Sequence, residues 1–299
     1  MVTATNAASS PNQTSSSQPL SLQASLQVYL ETRFPKNCAK PNDNVGLTVH
    51  SLKHTLRGET ASILLTVDLT EQVLADAILH RVDFVVTYYP MPSQPIHSLS
   101  DELVQGRILL RCAQHQIAVH SIHSACDSAS GGVNDWLAQS LAPGVVAAII
   151  RHPKVPDAGE GRLLECREAM PLSSLIQKVK SLLNIKYVRL ALGAKVDEQS
   201  LAKAQESCYV KTVAIQVGNG AQVLQVSPLA NVYLTSEMSH AEVSAATAKG
   251  IIVILTGQST IERAYMNQLR NEIESEFTGS DWDVKVRCSE IDCYPIMVV

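Results

Sequence analysis

The chain has 299 residues, of which 45% are apolar and 17% charged, and its formal net charge at pH 7 is -4. This length allows one large domain or two of ordinary size, whereas the slight negative charge and the lack of a basic run give no support for direct nucleic-acid binding. No apolar run approaches the roughly 20 residues that a membrane-spanning helix requires, so no membrane segment is expected.

The N-terminal residues and the cysteines both bear on the compartment. Residues 1–19 are rich in Ser, Thr, Asn and Gln, which predicts a disordered tail. They contain no apolar core for a secretory signal and no arginine before Arg33, so a mitochondrial presequence is not supported. The seven cysteines are scattered and include no C-x-x-C pair, which is typical of reduced thiols. We therefore expect a cytoplasmic protein.

Alternating helices and strands are predicted for the first half of the chain. Helices are predicted at Leu20–Thr32, Thr70–His80 and Glu102–His115, and strands at Ser62–Asp68, Asp83–Pro90 and Ile117–Ser121. This order predicts a mostly parallel sheet with helices on both faces, in three layers. We assign residues 20–150 to this first α/β domain.

The second half repeats the alternation after a connection. Residues 151–170 contain the Pro, Gly and charged residues of a linker. Helices are then predicted at Pro171–Leu183, His240–Lys249 and Thr260–Phe277, and strands at Tyr187–Leu192, Lys211–Val217, Leu229–Thr235, Ile251–Leu255 and Lys285–Cys288. Residues 171–299 are therefore predicted to form a second α/β segment, with boundaries that allow the domains to exchange segments.

Two pairs of segments indicate an internal duplication. Residues 253–262 overlay residues 118–127 without a gap, and residues 229–238 match residues 81–90. The first overlay places Gln258-x-x-x-Glu262 over His123-x-x-x-Asp127. Two facing α/β units of similar topology would bring Asp127 and Glu262 into one cleft.

The stretch Ala118–Ala138 carries the most concentrated chemistry. A predicted strand delivers His120, His123 and Asp127 into a turn region that contains two consecutive glycines. Open α/β sheets bind ligands just past the carboxyl ends of their strands. This stretch is therefore the candidate site.

Six segments together resemble the NIF-three-like family, also called GTP cyclohydrolase I type 2-like proteins. They are DNVGL (43–47), LLTVDLTEQV (64–73), ADAILHRVDFVVTYYP (75–90), HSACDSASGGVNDWLA (123–138), VYLTSEMSHAE (232–242) and GQSTIERAYMNQLR (257–270). The resemblance covers Leu20 to Val299, and RLALG (189–193) resembles the animal branch more than the bacterial one. It implies two similar α/β domains, a ring-shaped homo-hexamer and a two-metal site inside the ring.

The chain departs from the metal site that the resemblance implies. In the family the ligands come from His-His-Pro, from the Asp of His-x-x-x-Asp and from both ends of His-x-x-x-Glu. Here the first motif is Tyr88-Tyr89-Pro90 and the last histidine is Gln258, so that only Asp127 and Glu262 remain. Phenol and amide groups are poor substitutes for imidazole. No cofactor is expected; the alternative is a weakly bound divalent metal at the two carboxylates.

Structural roles are weighed beside these functional ones. Asp127 could cap the turn before Gly131, and Glu262 lies in the first turn of a helix, where the dipole favours a carboxylate. Tyr88 and Tyr89 are expected to fill the volume that the metal vacated. The resemblance places His123 and His240 as supports of the site rather than as ligands.

Two functions are consistent with the altered motifs. The first is a metal-depleted, oligomeric binding or scaffold protein, with a protein partner in transcriptional regulation as some animal relatives imply, and with the nucleus as a second compartment. The second is a metal-dependent hydrolase of the GTP cyclohydrolase or phosphoester type, in which an ion at Asp127 and Glu262 activates water. The missing imidazoles favour the first over an enzyme, and the catalytic residues stay unassigned.

Overall fold

The computed structural model of the chain describes residues 21–52, 60–193, 207–227 and 230–296. The helices in these ranges are α1 (Leu22–Arg33), α2 (Glu71–Leu79), α3 (Val104–Gln114), α4 (His123–Ser128), α5 (Val133–Leu141), α6 (Leu172–Leu183), α7 (Ala221–Leu224), α8 (His240–Ala248) and α9 (Thr260–Phe277), with a 3-10 turn at Lys36–Cys38. The strands are β1 (Gly46–Val49), β2 (Thr60–Thr66), β3 (Phe84–Thr87), β4 (Ala118–Ser121), β5 (Gly144–Arg151), β6 (Gly159–Pro171), β7 (Arg189–Ala191), β8 (Tyr209–Asn219), β9 (Val232–Glu237), β10 (Ile252–Leu255) and β11 (Asp283–Cys288).

Several helices begin where the sequence supplies a capping side chain. The hydroxyl of Ser21 accepts a hydrogen bond from the backbone of Ala24 at the start of α1, and Thr70 does the same for Val73 in α2. Ser239 and Glu242 form a reciprocal capping box at the start of α8. These local signals explain why the predicted positions of the three helices agree with those observed.

The first sheet has the strand order β1-β4-β3-β2-β11. All of its neighbouring strands are parallel except β1, which pairs antiparallel with β4. Leu64 of β2 packs among residues of α2 and α3 on one face, whereas Ile63 and Leu65 pack with α1 and α9 on the other. The sheet is therefore the middle of three layers. The last strand, β11, comes from the C-terminal end of the chain and returns to pair with β2.

The second sheet is mixed, with the strand order β5-β6-β8-β9-β10-β7. Strands β8, β9 and β10 are parallel, whereas the other three pairings are antiparallel. The stretch predicted as a linker is instead largely occupied by strand β6. Leu164 and Cys166 of β6 are buried in the core, and its backbone forms hydrogen bonds with β5 and β8. The sequence pattern did not predict β6 because the residues on its exposed face are charged. The division of the chain into domains stays a prediction.

Equivalent residues of the two sheets make equivalent bonds, as the internal repeat predicts. Asp83 at the start of β3 accepts a hydrogen bond from the backbone of Ser62 in β2, and Asn231 before β9 accepts one from Lys211 in β8. The strand registers, however, correct the gap-free overlay. Thr87 lies opposite Ser121 and Thr235 lies opposite Leu255, so that Ser121 corresponds to Leu255 rather than to Thr256.

A single apolar core joins both sheets. It contains strand residues from each sheet together with one face of α9, which contributes Ile261, Tyr265, Met266, Leu269 and Ile273. Because α9 packs between the sheets, its first turn is held against the carboxyl ends of the first sheet's strands. Among the residues that the structure describes, no helix is long and apolar enough to cross a membrane.

Candidate functional site

The predicted site residues follow three strand ends, those of β3 and β4 in the first sheet and that of β10 in the second. Tyr88 and Tyr89 directly follow β3, and residues 123–128 after β4 form the short helix α4 rather than the predicted turn. Gly132 permits the tight exit from α4, since a Cβ atom there would lie 2.0 Å from the carbonyl oxygen of Cys126. Gln258 and Glu262 follow β10 at the start of α9.

Tyr88 is hydrogen-bonded to Asp127. Its side chain is 1% exposed, and its hydroxyl donates to Oδ1 of Asp127. Burial, and then the charge of Asp127, raises the pKa of Tyr88 well above its ordinary value, so the phenol keeps its proton. Burial also raises the pKa of Asp127 to about 6, although His123 and the Tyr88 hydroxyl act in the opposite direction. Asp127 therefore accepts a hydrogen bond from the protonated phenol of Tyr88.

Tyr89 is bonded to Glu262 in the same way. Its hydroxyl lies 3.1 Å from Oε1 of Glu262 and accepts a 2.6 Å hydrogen bond from the amide of Gln258. Glu262 is 1% exposed, and its Oε2 has no hydrogen-bond partner within the described chain. Burial and the charge of Asp127 raise the pKa of Glu262 to about 7. The amide and the phenol thus form a chain of hydrogen bonds that ends on the carboxyl group.

His123 is fixed by a carboxylate that the sequence analysis did not assign. Its Nδ1 lies 2.9 Å from both carboxylate oxygens of Asp43, and Ser124 donates to the same carboxylate from its hydroxyl and its backbone. Although burial opposes it, these hydrogen bonds lower the pKa of Asp43. Asp43 lies 80 residues before His123 in the sequence, so only its place in the DNVGL motif could have pointed to it.

Three rings link the two carboxyl groups. The centroids of Tyr88 and Tyr89 are 5.7 Å apart, and the imidazole of His123 lies 6.2 Å and 5.4 Å from them. Each phenol bonds a different carboxyl group, and the charge of Asp127 acts on Glu262. The residues predicted to converge from the two halves of the chain are therefore brought into one cluster.

Other predicted residues lie outside this cluster. His240 is exposed at the first position of α8 and makes no hydrogen bond to the cluster within the described chain. His120 is buried in β4 against Phe84, and burial lowers its pKa to about 4. The backbone N–H of Gly131 donates a 2.8 Å hydrogen bond to Oδ2 of Asp135. Asp135 therefore caps this turn, which was the structural role considered for Asp127. His240, His120 and Asp135 do not belong to the cluster of Tyr88, Tyr89, Asp127 and Glu262.

The donor set does not fit the two-metal site that the family resemblance implies. Both remaining carboxyl groups accept hydrogen bonds from phenols, and the third altered position supplies an amide N–H. The two phenols and the amide act here as hydrogen-bond donors, whereas a metal ion is bound by atoms that present lone pairs. In the four described ranges, no three His, Cys, Asp or Glu side chains are arranged to hold a metal ion.

A cavity opens beside the cluster at the carboxyl ends of β2, β3 and β4. Its volume is about 810 Å³, which lies within the usual range for small-molecule pockets. Tyr89 and His123 line it together with Asp43, Leu69 and Met91. The cavity therefore leaves room for a ligand even though the carboxyl groups behind it are already hydrogen-bonded.

Comparison with known proteins matches most of the chain to one family. The model of the family described as Duf34/NIF3 (NGG1p interacting factor 3) matches residues 23–295. The protein NIF3 homolog of Schizosaccharomyces pombe is 32% identical and is matched over 92% of this chain and 97% of its own. NGG1-interacting factor 3 of Saccharomyces cerevisiae is 30% identical over 89% of this chain and 93% of its own.

Solved structures share the fold at lower identity. The hypothetical protein SA1388 of Staphylococcus aureus superposes with a TM-score of 0.76 at 21% identity, covering 94% of this chain and all of its own. A NIF3-related protein of Bacillus cereus gives a TM-score of 0.73 at 18% identity, covering 92% of this chain and 98% of its own. At these identities the likeness concerns the fold alone.

Proposed function

The chain belongs to the Duf34/NIF3 family, and we propose that it is a metal-depleted member that acts as an oligomeric binding or scaffold protein. The observation that supports this is the pair of phenol–carboxyl hydrogen bonds, Tyr88 to Asp127 and Tyr89 to Glu262. They engage one oxygen of each of the two carboxyl groups that would otherwise bind a cation. The cavity beside them leaves room for a ligand.

The partner we propose is a protein in transcriptional regulation. The yeast relative is named as a factor that interacts with NGG1, and this chain is similar to it over most of both lengths. A hydrolase that uses an ion at Asp127 and Glu262 is the competing function. Measuring the metal content distinguishes the binding protein from the hydrolase, because the hydrolase requires a bound ion.

Protein purified without added metal is expected to carry far less than one transition-metal ion per chain. The reason is the loss of imidazole at positions 88, 89 and 258, together with the phenols that occupy the carboxyl groups. Elemental analysis after dialysis measures the number of metal ions per chain. Stoichiometric zinc, iron or manganese that survives dialysis would instead support the hydrolase.

Restoring the lost imidazoles is expected to restore zinc binding. In the double variant Tyr89→His with Gln258→His, two imidazoles would lie beside Glu262 and near Asp127, which gives four ligands for a tetrahedral ion. Binding to the folded chain would add about 2.7 kcal/mol of stability at a hundredfold excess of free zinc over its dissociation constant. Thermal unfolding with and without zinc should show a rise in Tm for the double variant and little for the parent.

The matched control is the same double variant with Glu262→Gln. This change removes one oxygen ligand while keeping the two imidazoles, so the zinc-dependent rise should shrink. If the folded double variant binds zinc no better than the parent, the two halves of the chain do not supply a common ligand set. The interpretation of this cluster as a former metal site would then be abandoned.

A further inference from the structure

A second cavity lies between α1, the C-terminal end of α9 and the turn before β11. Its volume is about 930 Å³, within the usual range for ligand pockets. Its lining includes Tyr29, Phe277 and Trp282, and we call it the aromatic cavity. It shares no lining residue with the cavity beside Tyr89 and His123. It is therefore a separate candidate site.

The three rings give the aromatic cavity walls that attract cations. The ring centroid of the buried Phe277 lies 6.2 Å from that of Tyr29, with an angle of 74° between the ring planes. Tyr29 and Trp282 are half-buried because each packs against the apolar core, and both also line the cavity. The face of an aromatic ring carries the negative part of its quadrupole, which binds guanidinium and ammonium groups.

The charge around the aromatic cavity is negative. Residues 271–283 contain five carboxylates and no Lys, Arg or His. Two of these carboxylates, those of Glu276 and Asp281, line the cavity, and both residues are exposed. Burial, and then the charge of Glu272, raise the pKa of Tyr29 to about 12, and the charge of Glu276 acts in the same direction. The field at the Tyr29 hydroxyl therefore favours a cationic ligand.

The arginine in the lining, Arg33, is already bound on the protein side. Its Nε donates a 3.1 Å hydrogen bond to Glu272, and its terminal nitrogens donate to the carbonyls of Ser130 and Gly131 at 3.1 and 2.6 Å. Its guanidinium carbon lies 5.0 Å from the ring centroid of Phe34. At the edge of the cavity the chain itself thus holds a guanidinium against an aromatic face and a carboxylate.

We propose that the aromatic cavity binds an arginine side chain of a partner protein, stacked on Tyr29 and Trp282 and paired with Glu276. A guanidinium fits better than an ammonium, because it is planar, weakly hydrated and able to stack and pair at once. The volume exceeds that of one side chain, so the neighbouring residues of an extended segment enter with it. This inference rests on the proposed function only in taking the ligand to be part of a protein.

A fluorine label on the tryptophans tests the proposal in the full-length protein. The chain has two tryptophans, so 5-fluorotryptophan gives two resonances, which the variant Trp136→Phe assigns. Titration with the peptide Gly-Gly-Arg-Gly-Gly is expected to shift the Trp282 resonance saturably and to leave the Trp136 resonance unmoved. The same peptide with citrulline in place of arginine keeps the shape without the charge, and its Kd should be about tenfold higher.

Substitutions in the lining locate the contact. Glu276→Gln should raise the Kd of the arginine peptide about two- to fivefold. Glu274→Gln is the matched control, because Glu274 is an exposed carboxylate of α9 outside the lining, and it should leave the Kd unchanged. Tyr29→Leu removes the ring and should weaken binding about as much, whereas Tyr29→Phe keeps the ring and should bind like the parent. Thermal melting confirms that each variant is folded.

Four results would overturn the proposal. They are an unmoved Trp282 resonance, equal affinity for the citrulline peptide, equal weakening by Glu276→Gln and Glu274→Gln, and a Kd unchanged by Glu276→Gln. A Trp282 resonance that moves with protein concentration before any peptide is added would also overturn it, since a second copy would then cover the cavity. Metal content tests the proposed function separately, so failure here leaves that function standing.

Discussion

Replacing Arg162 by alanine is expected to lower the free energy of unfolding by about 3–5 kcal/mol, the usual cost of breaking a buried ion pair. Arg162 of β6 is 1% exposed and binds Asp135 of α5 through two bonds, of 2.7 and 2.8 Å. Its guanidinium also donates to four backbone carbonyls, those of Ser128, Ala129, Gly159 and Gly161. Without the guanidinium, the buried Asp135 carboxylate loses its ion-pair partner and the four carbonyls lose this donor.

Urea unfolding measures this loss, and two variants control it. Arg189→Ala breaks an exposed ion pair with Glu237 and should change stability by less than about 1 kcal/mol. Arg162→Met with Asp135→Leu removes both charges and should be more stable than Arg162→Ala, because no buried charge is left alone. An alanine variant within about 1 kcal/mol of the parent would show that water enters and replaces the guanidinium.

Replacing Glu262 by glutamine is expected to alter the pH dependence of stability. The pKa of Glu262 is about 7 in the folded chain against 4.5 ordinarily, so the folded state keeps a proton that the unfolded state releases. Its contribution is fully present below pH 4.5 and is lost as the pH rises through 7, by about 3 kcal/mol. Glutamine, which does not titrate, lacks this loss. The stability of Glu262→Gln relative to the parent should therefore rise by about 3 kcal/mol between pH 4.5 and pH 8.

The measurement is urea unfolding across this pH range with a chelator present. Asp127, whose pKa is raised to about 6 chiefly by its own burial, contributes in the same direction in both proteins. Glu276→Gln, at an exposed position on α9, is the control and should give a curve parallel to that of the parent. Parallel curves for Glu262→Gln as well would mean that Glu262 is ionised in the folded chain at neutral pH. The hydrogen-bonded cluster described above would then need a different protonation state.

The sequence by itself determined most of the helices and strands and the residue types at the site. Apolar spacing and caps are local, so α9 was predicted at Thr260–Phe277 as observed. The internal repeat was visible because Asp83 and Asn231 hold equivalent positions at the starts of two strands. That Tyr88, Tyr89 and Gln258 stand where the family resemblance implies imidazoles is inferred from the motifs and requires no structure.

Only the tertiary structure decided which of these groups bond to each other. The link between Asp43 and His123, the ion pair between Arg162 and α5, and the return of β11 to β2 all join segments distant in the sequence. Periodicity reports which face of an element is buried but not which element covers it. The strand registers likewise depend on pairing across the sheet, which is why the repeat was offset by one residue. Which elements and side chains contact each other depends on the packing of the whole core, and no local sequence pattern predicts it.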